Sequence, residues 1–245
     1  MKTLWNECRV EALRVFRNQY FIFWSLLIPI VFYVLYTKIM IQNVGDPELW
    51  EKHFLMSMTA FSVMGSSIMT LGLRLVQERN QGWTMYLRTT PVSGAVYFIA
   101  KMAGQTAVHA VIIIVIFASG GLINGISMPA IEWVTAGVWI LLGAIPFLAL
   151  GSLIGTMKKS DTASGISNLI YLTLAVMGGI WMPIESLPGL LQKMASWLPS
   201  YQYGAGAWSI IRGDVPNLGG ILILIAYTIV FMVLSIQRRR LQEAI

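Results

Sequence analysis

The stretch RLVQERNQGWTMYLRTTPVSGAVYFIAK, residues 74–101, is a long polar break in an otherwise apolar chain. It carries four basic residues and a single acid, namely Arg74, Arg79, Arg88, Lys101 and Glu78. The pairs Gln81-Gly82 and Thr90-Pro91 favour turns within it. A tether between two membrane helices needs only a few residues, whereas this connection is long enough for a short helix and a turn on the membrane face. Such a surface is suited to contact with another protein.

Apolar runs of about 20 residues, the length that crosses roughly 30 Å of hydrocarbon, lie on both sides of this connection. Hydrophobic residues make up 56% of the chain and charged residues only 11%, against about 25% charged in soluble domains. Six runs are predicted to span, at residues 20–41, 53–73, 102–122, 133–157, 163–183 and 218–236. Because lipid offers no partner to backbone polar groups, each run is expected to be a helix. The predicted fold is an all-α integral membrane protein with six transmembrane helices in a single domain, residues 1–245.

Lysine and arginine are distributed unequally between the two sides of the membrane that these spans would cross. An even number of spans places both termini on the side of the 74–101 connection, and thirteen of the seventeen basic residues fall on that side. The positive-inside rule therefore predicts a multi-pass protein of the cell membrane with both termini in the cytoplasm. Membrane insertion accounts for the net charge of +6, so we expect no nucleic-acid partner and expect contact with membrane lipids.

Two short segments are predicted to lie in the membrane interface. At 100° per residue, residues 1–19 form an amphipathic helix whose apolar face contains Leu4, Trp5, Cys8, Ala12, Val15 and Phe16. Two interpretations of this helix stay open, a plain anchor and an elbow that transmits motion into the first span. Residues 189–199, GLLQKMASWLP, are too short to span. They are predicted to form a re-entrant or interfacial helix between the fifth and sixth spans, either as a structured outer loop or as a gate.

A few polar residues fall inside the predicted spans. Gln105 and His109 share one face of the third span because they are four residues apart, and Asn168 lies in the fifth span. Polar groups at that depth either line a pathway or join helices through hydrogen bonds. All three are candidate pathway-lining residues, with helix association as the alternative.

Several chemistries have no support in the sequence. The chain has no G-x-x-x-x-G-K-[ST] phosphate loop for ATP, no H-E-x-x-H and no Cys/His cluster for a metal. We therefore predict no catalytic residue, metal ligand or cofactor in this chain. A multi-span membrane enzyme and an ATP-independent channel or scaffold stay open as alternatives to energy-driven transport.

Residues 78–93, ERNQGWTMYLRTTPVS, followed by Lys101, resemble the cytoplasmic connection of permease subunits in the type-2 ABC exporter family. The family pattern there is roughly E-[RK]-x-x-G-[TW]-x-x-x-L-x-x-[ST]-P-[VL]-[ST], with a lysine further on. Residues 178–188, GGIWMPIESLP, resemble the exit of that family's fifth span. One departure is Trp83, because threonine often follows the glycine directly in the family.

The resemblance implies the membrane half of an ATP-driven ABC exporter. Such a permease pairs with a second copy or a related permease and binds two copies of a separate ABC ATPase, which hold ATP and Mg. The cargo would be hydrophobic or amphipathic: a drug or antibiotic, a lipid or a peptide. The 74–101 connection would include the coupling helix that docks on the ATPase. The residues implied in this coupling are Glu78, Arg79 and Arg88 for polar contacts, Gly82 for the turn, and Pro91 for the helix end. Trp83, Met85 and Leu87 would fill an apolar pocket of the ATPase, with contact to lipid headgroups as the alternative.

Overall fold

The computed structural model describes residues 2–17, 19–39, 45–87, 89–90, 92–184 and 188–243, and the regular elements in those ranges are helices. The N-terminal half contains α1 (Lys2–Phe16), α2 (Gln19–Val34), α3 (Pro47–Gly65), α4 (Gly72–Asn80), α5 (Trp83–Leu87) and α6 (Gly94–Asn124). The C-terminal half contains α7 (Ala130–Gly143), α8 (Ile145–Ile154), α9 (Ser160–Met177), α10 (Gly189–Ala195), α11 (Pro199–Ile210) and α12 (Leu218–Glu243). Two π-helical segments, Leu35–Ile39 and Ser66–Leu71, extend α2 and join α3 to α4.

Four helices in the described ranges are long and apolar enough to cross a membrane. They are Pro47–Asn80, Val96–Asn124, Ala130–Ile154 and Leu218–Leu241. They contain most of the second, third, fourth and sixth predicted spans. The apolar helix Phe23–Ile39, in the first predicted span, is shorter than these, and α9, in the fifth, is more polar. The all-helical membrane fold is thus confirmed, whereas a count of six crossing helices stays a prediction.

The helix through α3 and α4 is longer than the predicted second span, residues 53–73. It begins early because Asp46 caps it, with Oδ1 accepting from the backbone N of Leu49 at 3.1 Å, and because Pro47 suits a first helical turn. At 1.5 Å per residue the helix is about 50 Å long, well beyond the hydrocarbon thickness. Its last turns, which begin the 74–101 connection, therefore extend past the membrane core.

The core forms around α3, which packs against α2, α6, α7, α9 and α11. Its completely buried side chains include Leu55, Met58 and Met64. The helix α8 packs against the π-helical segment Ser66–Leu71, which continues α3. A Cβ on Gly151 would lie only 2.2 Å from the backbone oxygen of Ser67. Glycine at this position therefore lets the two backbones touch, as is typical of membrane helix pairs.

Between the fifth and sixth predicted spans the structure differs from the expected single helix at residues 189–199. The chain forms α10, which ends at Ala195, and then α11, whose side chains Tyr203 and Ala207 are completely buried. Trp139 holds α11 by donating from Nε1 to the backbone oxygen of Tyr203 at 2.8 Å. A helix of 12 residues with small and polar members has too weak an apolar signal to be recognised by composition, and packing stabilises it instead.

The predicted amphipathic helix at residues 1–19 corresponds to α1, which packs chiefly against α6. Its orientation differs from the expected one at Trp5, which was assigned to the apolar face and is 72% exposed. Glu11, which was assigned to neither face, is only 4% exposed. A buried carboxylate requires partners, and Glu11 finds them in Arg74 and Lys101 of the 74–101 connection.

Candidate functional site

The 74–101 connection folds into α4, a tight turn, the short helix α5 and the first turns of α6. Gly82 has a φ of 76°, in the left-handed region that glycine adopts readily, and it reverses the chain between α4 and α5. Ser93 then caps α6, because its Oγ accepts from the backbone N of Val96 at 3.3 Å. A short helix and a turn thus lie where the sequence predicts them.

Five charged side chains meet where α1, α4 and α6 come together, and we call them the charge cluster: Glu11, Arg14, Arg74, Glu78 and Lys101. Lys101 lies at its centre, with Nζ 2.7 Å from Glu11 Oε1 and 2.5 Å from Glu78 Oε1. Arg74 approaches the other oxygen of Glu11 at 2.8 Å. The cluster therefore joins three helices through two shared carboxylates.

Aromatic side chains extend this cluster toward α5. The Tyr97 hydroxyl donates to Glu78 Oε2. Arg14 contacts both acids, at 3.2 Å from Glu11 Oε1 and 3.4 Å from Glu78 Oε1, and its guanidinium lies 5.1 Å from the centre of the Trp83 ring. Such cation–π contact is attractive because the ring face is negative. Trp83, the first residue of α5, is thus connected to the charge cluster through a single arginine.

The burial of the cluster determines its energetics. The Lys101 and Glu11 side chains are only 1% and 5% exposed. Burial raises the pKa of the Glu11 carboxyl, but the neighbouring Lys101, Arg74 and Arg14 outweigh it and hold that pKa below its ordinary value of 4.5. Removing one partner of a buried ion pair typically costs about 3–5 kcal/mol, because the other charge is left uncompensated. The cluster therefore fixes α1, α4 and α6 relative to one another.

The short helix α5 presents apolar side chains to the outside. Met85 is 76% exposed and Tyr86 is 60% exposed, and the Tyr86 ring lies 5.4 Å from that of Trp83. Large exposed apolar groups beside a charged cluster are typical of a protein-contact surface. The side chain of Leu87 and the whole of Arg88 and Pro91 lie outside the described part of the chain, so their implied roles stay predictions.

Glu78 and Arg79 are both engaged within the chain. The carboxylate of Glu78 is held by Lys101 and Tyr97 as described, and Arg79 donates to the backbone oxygen of Met157. The next residue, Asn80, donates to Ser160 Oγ at 3.3 Å. These contacts connect α4 to the link between α8 and α9. A direct contact of Glu78 or Arg79 with another protein stays a prediction.

The polar residues of the predicted third span are buried against the π-helical segment Ser66–Leu71. Gln105 Nε2 donates to Ser66 Oγ at 2.6 Å, and His109 Nε2 lies 3.3 Å from Ser67 Oγ. Gln105 and His109 are 1% and 0% exposed. Their geometry matches the helix-joining interpretation, which was one of the two left open.

Asn168, the third candidate pathway residue, lines a cavity of about 480 Å³ between α2, α3 and α9. We call it the aromatic cavity because its walls include Trp24, Phe32, Phe61, Tyr171 and Trp181. Its lining has no ionisable acid or base besides the Tyr171 phenol. Its size lies in the range of small-molecule sites, and its walls suit an apolar or amphipathic molecule.

Glu11, the buried acid that joins α1 to Arg74 and Lys101, was not predicted from the sequence. A signal was present, because on a helical wheel Glu11 adjoins the apolar stripe rather than the basic face. Arg74 gave a second signal, because it lies four residues before Glu78, a spacing at which opposite charges pair on a helix, and the two side chains are 3.9 Å apart. Tyr97 gave no comparable signal, since its partner Glu78 lies 19 positions earlier in the chain.

Two comparisons with known proteins bear on this arrangement. A family model described as "ABC-2 family transporter protein" matches residues 52–236, which include the 74–101 connection. YvfS of Bacillus subtilis (strain 168), whose name describes it as a predicted transport permease, is 53% identical over 245 residues, covering 100% of both chains. The chain is therefore similar over its full length to a predicted permease.

Proposed function

Because this chain belongs to the ABC-2 family of transporters, we propose that it is the membrane subunit of an ATP-driven exporter. Family membership makes it a membrane-embedded transport permease rather than an enzyme, and a family of this kind works with an ATPase subunit. The finer points are proposed here: export as the direction, two ATPase copies holding ATP and Mg, and a second copy of this chain or a related permease as its pair.

The charge cluster is the observation that carries the proposal. An ATPase docked on α5 would contact Met85 and Tyr86, which are largely exposed. Any displacement of α5 would reach the cluster through Trp83 and Arg14, whose contact is 5.1 Å. The buried pairs of Lys101 would then move α1, α4 and α6 together. The interfacial helix α1 thus acts as an elbow rather than a plain anchor.

The transport step requires energy from outside this chain. To shift a two-state equilibrium from 1:99 to 99:1, a ligand must bind the favoured state more tightly by about 5.5 kcal/mol. The sequence has no phosphate loop with which to obtain that energy from ATP. ATP binding and hydrolysis on the partner would therefore drive the change, and the permease would provide the path.

The aromatic cavity is our candidate for part of that path. Its lining favours a hydrophobic or amphipathic cargo, such as a drug or antibiotic, a lipid or a peptide. Asn168 provides a polar contact in it, whereas Gln105 and His109 are assigned to helix association.

Co-purification with a functional readout tests the proposal. The permease, extracted in detergent from its own host, should bring down an ATPase of roughly 250 residues, a typical domain size, and the complex should hydrolyse ATP. Replacing Met85 and Tyr86 together by serine should weaken that association about tenfold or more, because exposed apolar anchors dominate interfaces.

The matched control replaces Leu190 and Leu218, which are 73% and 76% exposed outside α5. With both of these changed to serine, the association should persist. Recovery of the permease without any ATP-hydrolysing partner, or equal weakening by both double variants, would contradict the proposal.

A further inference from the structure

A polar pocket of about 460 Å³ lies between α7, α11 and the start of α12, far from the charge cluster. The distance follows from α12, because the helix rises about 30 Å from Gly220, which lines the pocket, to Arg239. Arg239 lies 4.8 Å from the Phe98 ring, near Lys101 in α6. The pocket therefore opens at the membrane surface opposite the charge cluster. The distribution of basic residues identifies this surface as the outer one.

Two opposite charges line this polar pocket side by side. Arg212 Nε and Asp214 Oδ2 are 4.0 Å apart, and their side chains are 47% and 71% exposed. A turn fixes their spacing, because the backbone N of Gly213 donates to the oxygen of Ile210 and that of Asp214 to the oxygen of Ser209, both at 3.0 Å. An exposed ion pair at this distance is weak. Both side chains can therefore bind a ligand that carries one negative and one positive charge.

An apolar groove of about 640 Å³ continues from the polar pocket between α7 and α12. Trp139 lines both spaces. The groove walls include Val138, Leu142, Leu224 and Ile225. Its two threonines, Thr135 and Thr228, donate to the backbone oxygens of their own helices at 2.7 and 2.8 Å, so the groove presents an apolar surface.

Trp139 is held firmly at the junction of the two spaces. Its Nε1 donates to the Tyr203 backbone oxygen, and its ring packs so close to α11 that a Cβ on Gly206 would lie 2.1 Å from it. A fixed indole between a polar and an apolar space is the arrangement that tryptophan favours at membrane interfaces.

We propose that the polar pocket and the groove together bind one zwitterionic phospholipid. The Arg212 guanidinium binds the phosphate, Asp214 binds the headgroup ammonium, and one acyl chain lies in the groove against Val138 and Ile225. The paired charges match the two charges of such a headgroup, and the surrounding membrane supplies the lipid. This assignment does not depend on the direction of transport or on the ATPase.

Lipid titration followed by native mass spectrometry tests this site. The purified full-length chain, stripped of lipid in detergent, is titrated with phosphatidylethanolamine, phosphatidylglycerol and diacylglycerol that carry identical acyl chains. We expect the tightest binding for phosphatidylethanolamine and the weakest for diacylglycerol. Arg212→Gln should weaken both phospholipids about tenfold, whereas Asp214→Asn should weaken phosphatidylethanolamine about fivefold and leave phosphatidylglycerol unaffected or tighter.

Two matched controls remove the same charges elsewhere, Lys193→Gln on α10 and Glu132→Gln at the start of α7, and both should bind lipid like the unmodified chain. A second variant tests the groove independently, because Val138→Trp fills it and should weaken all three lipids to a similar extent. Equal affinity for phosphatidylethanolamine and diacylglycerol, or binding that Arg212→Gln leaves unchanged, would overturn the headgroup assignment. Soluble glycerophosphoethanolamine that bound as tightly as the lipid would show a free phosphate-ester site and would overturn the lipid assignment.

Discussion

Glu11 and Lys101 are 90 positions apart in the chain, yet Glu11 Oε1 lies 2.7 Å from Lys101 Nζ. The pair joins the amphipathic helix α1 to α6, and the same ammonium group binds Glu78 of α4. Through this one ammonium group, α1 is joined to two helices that lie far from it in the sequence.

Replacing Lys101 by methionine should lower the free energy of unfolding by about 3–5 kcal/mol, since Glu11 and Glu78 would lose their shared partner in a buried place. Thermal denaturation of the purified protein in detergent measures this change. Lys193→Met removes an equivalent charge from an exposed position and should change the stability by less than about 0.5 kcal/mol. Similar unfolding midpoints for the two variants would show that the cluster contributes little to the fold.

Glu11 should give the protein a characteristic loss of stability in acid. Burial raises the pKa of this carboxyl, but Lys101, Arg74 and Arg14 hold it below the ordinary 4.5. Because the folded-state pKa is the lower one, the stabilisation is complete above 4.5 and is lost as the pH falls through the folded-state value.

A pH series of unfolding midpoints checks this sign. The unmodified protein should lose stability steeply below about pH 4.5, whereas Glu11→Gln should be less stable at neutral pH and flatter in the acid range. An identical acid slope in the two proteins would assign the pH dependence to another carboxylate.

Gly151→Ala should destabilise the protein by about 1–3 kcal/mol, because overpacking forces the backbone to move. The added Cβ would lie 2.2 Å from the oxygen of Ser67, and a backbone atom in a packed helix has little freedom to retreat. Gly121→Ala is the control, since a Cβ there has no neighbour within 4 Å, and alanine is the better helix former by up to about 1 kcal/mol. Denaturation in detergent should separate the two variants in opposite directions.

Asn168→Trp should block the proposed export by filling the aromatic cavity, while leaving the proposed association with an ATPase intact. Leu169→Trp adds the same side chain at the next position, which is 67% exposed and does not line that cavity. Complementation of a deletion strain, scored by its sensitivity to a panel of lipophilic drugs, measures the difference. If both variants restored the unmodified pattern, the cargo would follow another route.

The sequence predicts the membrane class and most helices well, because a run of about 20 apolar residues has few alternatives in water or lipid. The family match confirms the membership inferred from residues 78–93. The helix of the fifth predicted span is present as α9, although polar residues such as Asn168 lower its apolar signal. Prediction was weaker for α11, where small residues such as Gly204 lower that signal and packing within the bundle compensates.

The candidate site was less accessible to prediction, since its central contacts join residues far apart in the chain. Glu78 and Arg79 were recognised as important from the family pattern, yet their observed partners are Lys101 and the Met157 backbone. Likewise, nothing in the spacing of Gln105 and His109 distinguishes a pathway from a helix contact. The structure shows the helix contacts of both residues with Ser66 and Ser67, and a pathway role for either stays a prediction.

The π-helical segment Ser66–Leu71 sets the angular register between the two halves of the long helix Pro47–Asn80. A wide turn of this kind holds about one residue more than an α-helical turn. Deleting one residue within it would restore ordinary helical winding and leave Leu55 and Glu78 on their present sides. The same deletion in α4, between Gly72 and Glu78, would rotate the carboxylate by about 100° and carry it away from its lysine.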